Sequence, residues 1–104
     1  TKAIDFKNVP VEFRIGEAEP TDIRRSVGNA INRNTSDIAL ADFARKIFYS
    51  VEPIEIPVEF IPEITRIVTR DEYLLAPAKT AILTLIQEAM GATPTVPAEE
   101  KVNV

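Results

Sequence analysis

Residues 21–48, TDIRRSVGNAINRNTSDIALADFARKIF, decide the fold because they hold two apolar stripes at helical spacing. The first stripe consists of Ile23, Val27, Ala30 and Ile31. The second consists of Leu40, Phe43, Ala44, Ile47 and Phe48. Apolar residues repeated every three or four positions line one face of an α-helix. The stretch therefore predicts two helices, joined by the polar residues 32–34, that pack as an αα-hairpin.

The ends of these helices carry residues that favour helix caps. Thr21 or Asp22 is expected to cap the first helix, and Thr35 or Ser36 the second, because their side-chain oxygens can accept free N–H groups of the first turn. Gly28 lies inside the first helix, where glycine costs about 1 kcal/mol relative to alanine. We therefore expect Gly28 to allow a close contact between helices.

Upstream, residues 3–15, AIDFKNVPVEFRI, alternate apolar and polar residues in two short runs. The first run contains Ile4 and Phe6, and the second contains Val11, Phe13 and Ile15. Residues 8–10 are expected to form the turn between them. The pattern predicts an N-terminal β-hairpin whose apolar face lies on the helices, since an isolated hairpin is only marginally stable.

Downstream, residues 51–64, VEPIEIPVEFIPEI, alternate as a strand would but contain prolines at 53, 57 and 62. Proline is tolerated at the edge of a sheet, so we read residues 53–56 as a short third extended segment. A helix follows. It starts at Pro62, or at Pro57 with a kink at Pro62; Pro62 is favoured because proline fits the first turn and disrupts later ones.

Residues 73–90, YLLAPAKTAILTLIQEAM, predict a last helix with Pro77 in its first turn and Gly91 at its C-terminal cap. Residues 1–91 are thus expected to form a single small α+β domain, mostly helical, with about four helices and an N-terminal β-hairpin. Residues 92–104 are read as a flexible C-terminal tail. The predicted core contains Ile4, Phe6, Phe13, Ile23, Val27, Ile31, Leu40, Phe43, Ala44, Ile47, Phe48, Ile64, Ile67, Val68, Ile82, Leu85 and Ile86.

The residue types present argue against an enzyme. The chain contains no cysteine and no histidine, which are the usual nucleophiles, bases and ligands for zinc, copper and haem. The acidic residues Glu52, Glu55, Glu59 and Glu63 are read as a solvated face rather than a metal site, because exposed carboxylates are the default. We expect no catalytic residue, no cofactor and no bound metal.

The formal net charge of −4 opposes nucleic-acid binding, which normally relies on clustered cations. A nucleic-acid-binding regulator that uses the helical hairpin 21–49 remains the alternative, with contacts from Arg24, Arg25, Arg33 and Lys46. Acidic Asp37 and Asp42 in the second helix would repel phosphate, so we do not expect nucleic acid as a partner. No apolar run is long enough to cross a bilayer, so we expect no membrane partner either.

Four segments, AIDFKNVPVEF, TSDIALADFARKIFYS, EPIEI and APAKTAILTLIQEA, resemble a family of small proteins of unknown function encoded in tailed bacteriophages and prophages. The resemblance covers residues 3–90; the prolines at 53, 57 and 62 depart from it. It implies an accessory or assembly role and passes on no functional residue.

We therefore expect a non-enzymatic protein-interaction or assembly module that binds a protein partner or itself. The edge offered by Ile54, Glu55 and Ile56 is the candidate partner surface. The chain shows no signal-peptide pattern and no cysteine, so we expect it in the cytoplasm or associated with a virion.

Overall fold

The computed structural model describes residues 2–91, which form a two-stranded antiparallel sheet followed by four helices. The strands are β1 (Val9–Arg14) and β2 (Glu17–Thr21). The helices are α1 (Arg24–Asn34), α2 (Ile38–Phe48), α3 (Ile61–Arg70) and α4 (Ala76–Ala89). This confirms the predicted α+β, mostly helical fold with an N-terminal hairpin. The tail predicted at 92–104 lies outside the described residues.

The hairpin lies one strand further along the chain than predicted. The turn expected at residues 8–10 is wrong, because β1 begins at Val9 and pairs with β2, with Val9 opposite Thr21 and Arg14 opposite Glu17. The chain reverses instead at Gly16, whose φ of 86° is a conformation that only glycine adopts readily. Pro10 is accommodated within β1 because a two-stranded ribbon leaves backbone positions that need no ladder hydrogen bond.

Helices α1 and α2 form the predicted αα-hairpin. A Cβ atom on Gly28 would lie 3.0 Å from the carbonyl oxygen of Ala44 and 3.0 Å from Cβ of Phe48, so the predicted close helix contact is confirmed. The predicted N-cap of α2, Thr35 or Ser36, is wrong. Asp37 is the N-cap, and its carboxylate accepts the N–H of Ala39, while the Thr35 hydroxyl accepts the N–H of Asp37.

The segment between α2 and α3 touches the N-terminus and then turns into helix. Ile54 forms an antiparallel bridge with Ile4, in which each amide donates to the other carbonyl at 2.9 Å. A single 3-10 turn at Val58–Phe60 follows Pro57, and α3 places Pro62 in its first turn. The favoured helix start near Pro62 is therefore confirmed, and the start at Pro57 is wrong.

The core is one cluster to which β1 and all four helices contribute buried side chains, and α2 packs against α1 within it. Most predicted core residues are buried, but Phe13 is half exposed and Phe48 and Leu85 are only partly buried. Phe13 was wrongly placed because the chain leaves the core before the hairpin turn. The prediction missed further buried residues, namely Val9, Val11, Ala30, Ile56, Ile61, Leu74, Ala78 and Ala89. Among the helices of residues 2–91, none has both the length and the apolar character to cross a bilayer.

Candidate functional site

A groove of about 500 Å³ lies between the β-hairpin and α4. Its hairpin wall consists of Val9, Pro10, Glu12 and Ala18. Its helical wall consists of Ala76, Pro77, Thr80, Ala81, Thr84, Leu85 and Glu88. We call this the hairpin–α4 groove. Its size and largely apolar lining with a few polar groups are typical of binding sites.

The helical wall is a second stripe on α4, beside the one that enters the core. Residues of this wall recur in pairs four positions apart, from Ala76 and Pro77 to Glu88, so they share one face of the helix. The neighbouring stripe, which includes Ile82 and Ile86, is buried in the core. Leu85 was predicted as a core residue, and it is only partly buried because it lines the groove.

The hairpin wall follows from strand alternation. Pro10 and Glu12 are two residues apart on β1 and therefore lie on the same face. Val9 is almost completely buried, at 1% exposure, and forms part of the floor. The Glu12 carboxylate also accepts the N–H of Gly16, which holds the side chain against the hairpin turn. The hairpin wall of the groove is therefore built mainly from paired strand residues.

The two acidic residues of the groove lie on different walls, Glu12 on the hairpin and Glu88 on α4. Asn8, just before β1, shares a smaller depression with Leu85, Glu88 and Ala89 near the C-terminal end of α4. Of residues 2–91, no lysine or arginine lines the groove, although Lys2 lines the adjacent depression. The groove therefore combines a largely apolar lining with one carboxylate on each wall.

Beyond the groove, the end of the hairpin exposes large apolar side chains. Ile15 is 98% exposed and Phe13 is 49% exposed. All of β2 except its last residue is exposed as well. Neither residue belongs to the core cluster, so the hairpin end is a second surface that a partner could cover.

A buried carboxylate lies away from the groove, in the turn between α3 and α4. Asp71 is 4% exposed and accepts hydrogen bonds from the guanidinium of Arg33, the amide of Asn34 and the backbone N–H groups of Tyr73 and Leu74. These bonds, that from Arg33 above all, hold the pKa of Asp71 far below its usual value, although burial opposes the shift. The carboxylate is fully occupied by donors. We therefore assign it a structural role.

The four candidate nucleic-acid contacts do not form one free patch. Arg24 is paired with Asp22 and also donates to the carbonyl of Ser50, and Arg33 is paired with Asp71. The guanidinium of Arg25 lies 5.5 Å from the centre of the Phe48 ring. Lys46 is exposed. Arg24 and Arg33 also lie near opposite ends of α1, so they cannot converge on one phosphate.

The candidate partner edge at Ile54, Glu55 and Ile56 is largely occupied. Ile54 directs its amide and carbonyl to Ile4, and Ile56 is buried at 2% exposure. Backbone groups of successive residues in a strand point to alternate sides, so the outer edge belongs to Pro53, Glu55 and Pro57. The two prolines have no N–H to donate. We therefore expect this edge to be a poor template for strand pairing.

The acidic residues considered for metal binding lie apart or are paired. Glu52, Glu55 and Glu59 are exposed, and Glu63 is paired with Arg66, whose hydrogen bond lowers the pKa of Glu63. Within residues 2–91, no three acidic side chains are grouped so that they could hold a metal ion.

Comparison with known proteins gives no relative to guide the interpretation: no family model, no curated protein and no solved structure matches the chain. The groove was not predicted from the sequence, because α4 was taken to have only one apolar face. Ala81 and Leu85, four residues apart beside the core stripe, were the signal of a second one.

Proposed function

We propose that the chain is a non-enzymatic protein-interaction or assembly module that binds a partner protein or a second copy through the hairpin–α4 groove and the adjoining hairpin end. The observation that carries the proposal is the groove itself, a largely apolar channel of about 500 Å³. A peptide segment or a side-chain cluster of another chain would fill such a channel and remove its apolar surface from water.

The exposed hairpin end supports the same reading. Phe13 and Ile15 belong to the strand and turn that follow Glu12, a residue of the groove wall. Covering the almost fully exposed Ile15 side chain would stabilise a complex by roughly 1.5–3 kcal/mol, and covering the exposed half of Phe13 would add less. Apolar groups at the hairpin end would therefore add to what the groove supplies if one partner reaches both surfaces.

The biological setting that we propose is a bacteriophage or prophage, where the chain would serve as an accessory or assembly protein in the cytoplasm or on the virion. The support is the pattern of residue types in AIDFKNVPVEF, TSDIALADFARKIFYS and APAKTAILTLIQEA. The genes on either side test this part directly. Neighbours that encode capsid or tail proteins would support it, and a replication or repressor block would count against it.

Site-specific photo-crosslinking tests the binding surface. Benzoylphenylalanine would replace Thr84 in the groove or Ile15 at the hairpin end, and Gln87, which is exposed on α4 outside the groove, would serve as the control position. Crosslinking would be carried out in cells that carry the natural gene, and light scattering would report self-association of the purified chain.

We expect a discrete crosslinked species from positions 84 and 15 and none from position 87. A chain that stays monomeric at high concentration and gives no crosslinked species from either test position would contradict the proposal.

A further inference from the structure

We infer that the hairpin–α4 groove binds an extended, apolar segment of a partner protein that also carries lysine or arginine residues. This inference rests on the proposed function and adds the chemistry of the partner.

Charge complementarity sets the charge of the segment. Among residues 2–91, the charged groups that line the groove are Glu12 and Glu88, both carboxylates and one on each wall. An acidic segment would meet like charges there, whereas lysine or arginine would form ion pairs at a rim that is still hydrated. Each such exposed pair contributes roughly 0.2–1 kcal/mol, which is enough to select between segments of opposite charge.

The length of the groove sets the length of the segment. From Ala76 to Glu88 the helical wall rises by about 18 Å, at ~1.5 Å per residue. An extended chain advances about 3.3 Å per residue, so roughly five residues span the groove. In such a segment the second and fourth side chains point to one side, towards the apolar floor at Val9 and Leu85. The long side chains of lysine or arginine residues in the segment can bend to the carboxylates.

Two threonines supply groups that can fix the backbone of the segment. The side chains of Thr80 and Thr84 line the groove one helical turn apart. A hydroxyl can both donate and accept a hydrogen bond, so each threonine can meet either an N–H or a carbonyl of an extended backbone. The groove therefore combines an apolar floor, two hydroxyls that can donate or accept, and a carboxylate on each wall.

A synthetic peptide tests this chemistry on the full chain. The probe is acetyl-Lys-Leu-Thr-Leu-Lys-amide, and its matched controls are acetyl-Glu-Leu-Thr-Leu-Glu-amide, which reverses the charges, and acetyl-Lys-Ser-Thr-Ser-Lys-amide, which removes the apolar side chains. Binding would be followed by two-dimensional NMR of the ¹⁵N-labelled chain. The E12Q/E88Q double variant keeps both side-chain shapes and a hydrogen-bond acceptor for Gly16, so it should fold as the natural chain does.

We expect the lysine–leucine peptide to shift the amide signals of Thr80, Ala81 and Thr84 in a saturable manner. The glutamate peptide and the serine peptide should bind at least about fivefold more weakly, and the double variant should bind the lysine–leucine peptide roughly fivefold more weakly than the natural chain. Equal binding of the lysine and glutamate peptides, or shifts confined to residues outside the groove, would overturn the inference.

The outcome is separable from the test of the proposed function. If position 84 crosslinks to a partner while the peptides show no charge preference, the interaction surface stands and the cationic segment is wrong. If position 84 crosslinks only to a second copy of this chain, the occupant is that copy, and the inference of a separate partner segment is overturned.

Discussion

The carboxylate of Asp71 accepts hydrogen bonds from both Nε and Nη2 of Arg33, at 2.9 and 2.8 Å, although the two residues lie on different elements. Arg33 belongs to the last turn of α1, and Asp71 follows α3 directly. The same guanidinium lies 4.8 Å from the centre of the Tyr73 ring. A fork of two charge-assisted hydrogen bonds fixes direction as well as distance, so this pair sets where the α3–α4 turn meets α1.

We expect Asp71→Asn to lower the free energy of unfolding by roughly 2 kcal/mol, because an amide NH₂ group would face the guanidinium and leave buried donors unsatisfied. Urea denaturation followed by circular dichroism measures the change. Glu63→Gln is the matched control, since the Glu63–Arg66 pair is exposed on both sides and should contribute little. Equal midpoints for the two variants would show that the Asp71 cluster is not structurally important.

The low pKa of Asp71 predicts loss of stability in acid. A carboxylate whose pKa is lower in the folded than in the unfolded chain stabilises the fold above its unfolded pKa, about 4, and this contribution is lost as the pH falls through lower values. Between about pH 4 and 2 the natural chain should therefore lose stability more steeply than Asp71→Asn, by up to ~1.4 kcal/mol per pH unit. Urea titrations at several pH values measure both slopes, and parallel slopes would contradict the prediction.

Helical periodicity predicted most of the fold because it is a local property of the chain. The stripes of α1 and α2 and the prolines at 62 and 77 indicated where the helices lie, and their buried faces are largely those expected. The hairpin was misplaced because both runs of residues 3–15 alternate equally well, and only long-range pairing chooses between them. Gly16 marks the turn that the structure shows, but a single glycine can equally mark the end of a strand, so it did not decide between the two hairpins.

The candidate site was harder to predict because it depends on the packing of distant elements. The Arg33–Asp71 pair joins residues 38 positions apart, and no local pattern marks it. The hairpin–α4 groove likewise needs the register of β1 and β2 and their packing on α4 before Glu12 and Glu88 belong to one surface. The candidate edge at Ile54 was chosen without knowing that Ile4 would occupy it.

Gly28→Ala should destabilise the chain even though alanine is the better helix former. The added methyl group would lie 3.0 Å from the backbone oxygen of Ala44, which can move only together with α2. We expect overpacking of 1–3 kcal/mol to exceed the gain of about 1 kcal/mol in helix propensity, for a net loss of ~1 kcal/mol. Thermal unfolding tests this. Asn29→Ala, on the exposed side of the same turn, is the control and should be neutral or slightly stabilising.

Nucleic-acid binding by the helical hairpin predicts a measurable salt dependence. Because Arg24 and Arg33 are held by carboxylates, we expect duplex DNA to bind weakly or not at all, even at low salt. Fluorescence anisotropy with a labelled duplex over a range of salt concentrations measures this. Tight binding that falls steeply with salt, and that is lost in the Arg25→Ala/Lys46→Ala double variant, would instead favour the regulator.

Ile15→Ser should separate binding from folding at the hairpin end. The Ile15 side chain is 98% exposed, so its removal takes no apolar surface out of the core, and the melting temperature should stay that of the natural chain. If a partner covers this residue, the same change removes part of the apolar surface buried in the complex, at roughly 1.5–3 kcal/mol or about 10- to 150-fold in affinity. Affinity for the crosslinked partner, or the dimer dissociation constant, measures the effect.

Ile38→Ser is the matched control for Ile15→Ser, because Ile38 is 79% exposed at the start of α2 and lies outside the groove and the hairpin. It should leave both melting temperature and affinity unchanged. Equal losses of affinity in the two variants would point to a general effect of surface hydrophobicity. A lower melting temperature for Ile15→Ser alone would mean that the hairpin end contributes to folding, and its exposed apolar residues would then no longer indicate a binding surface.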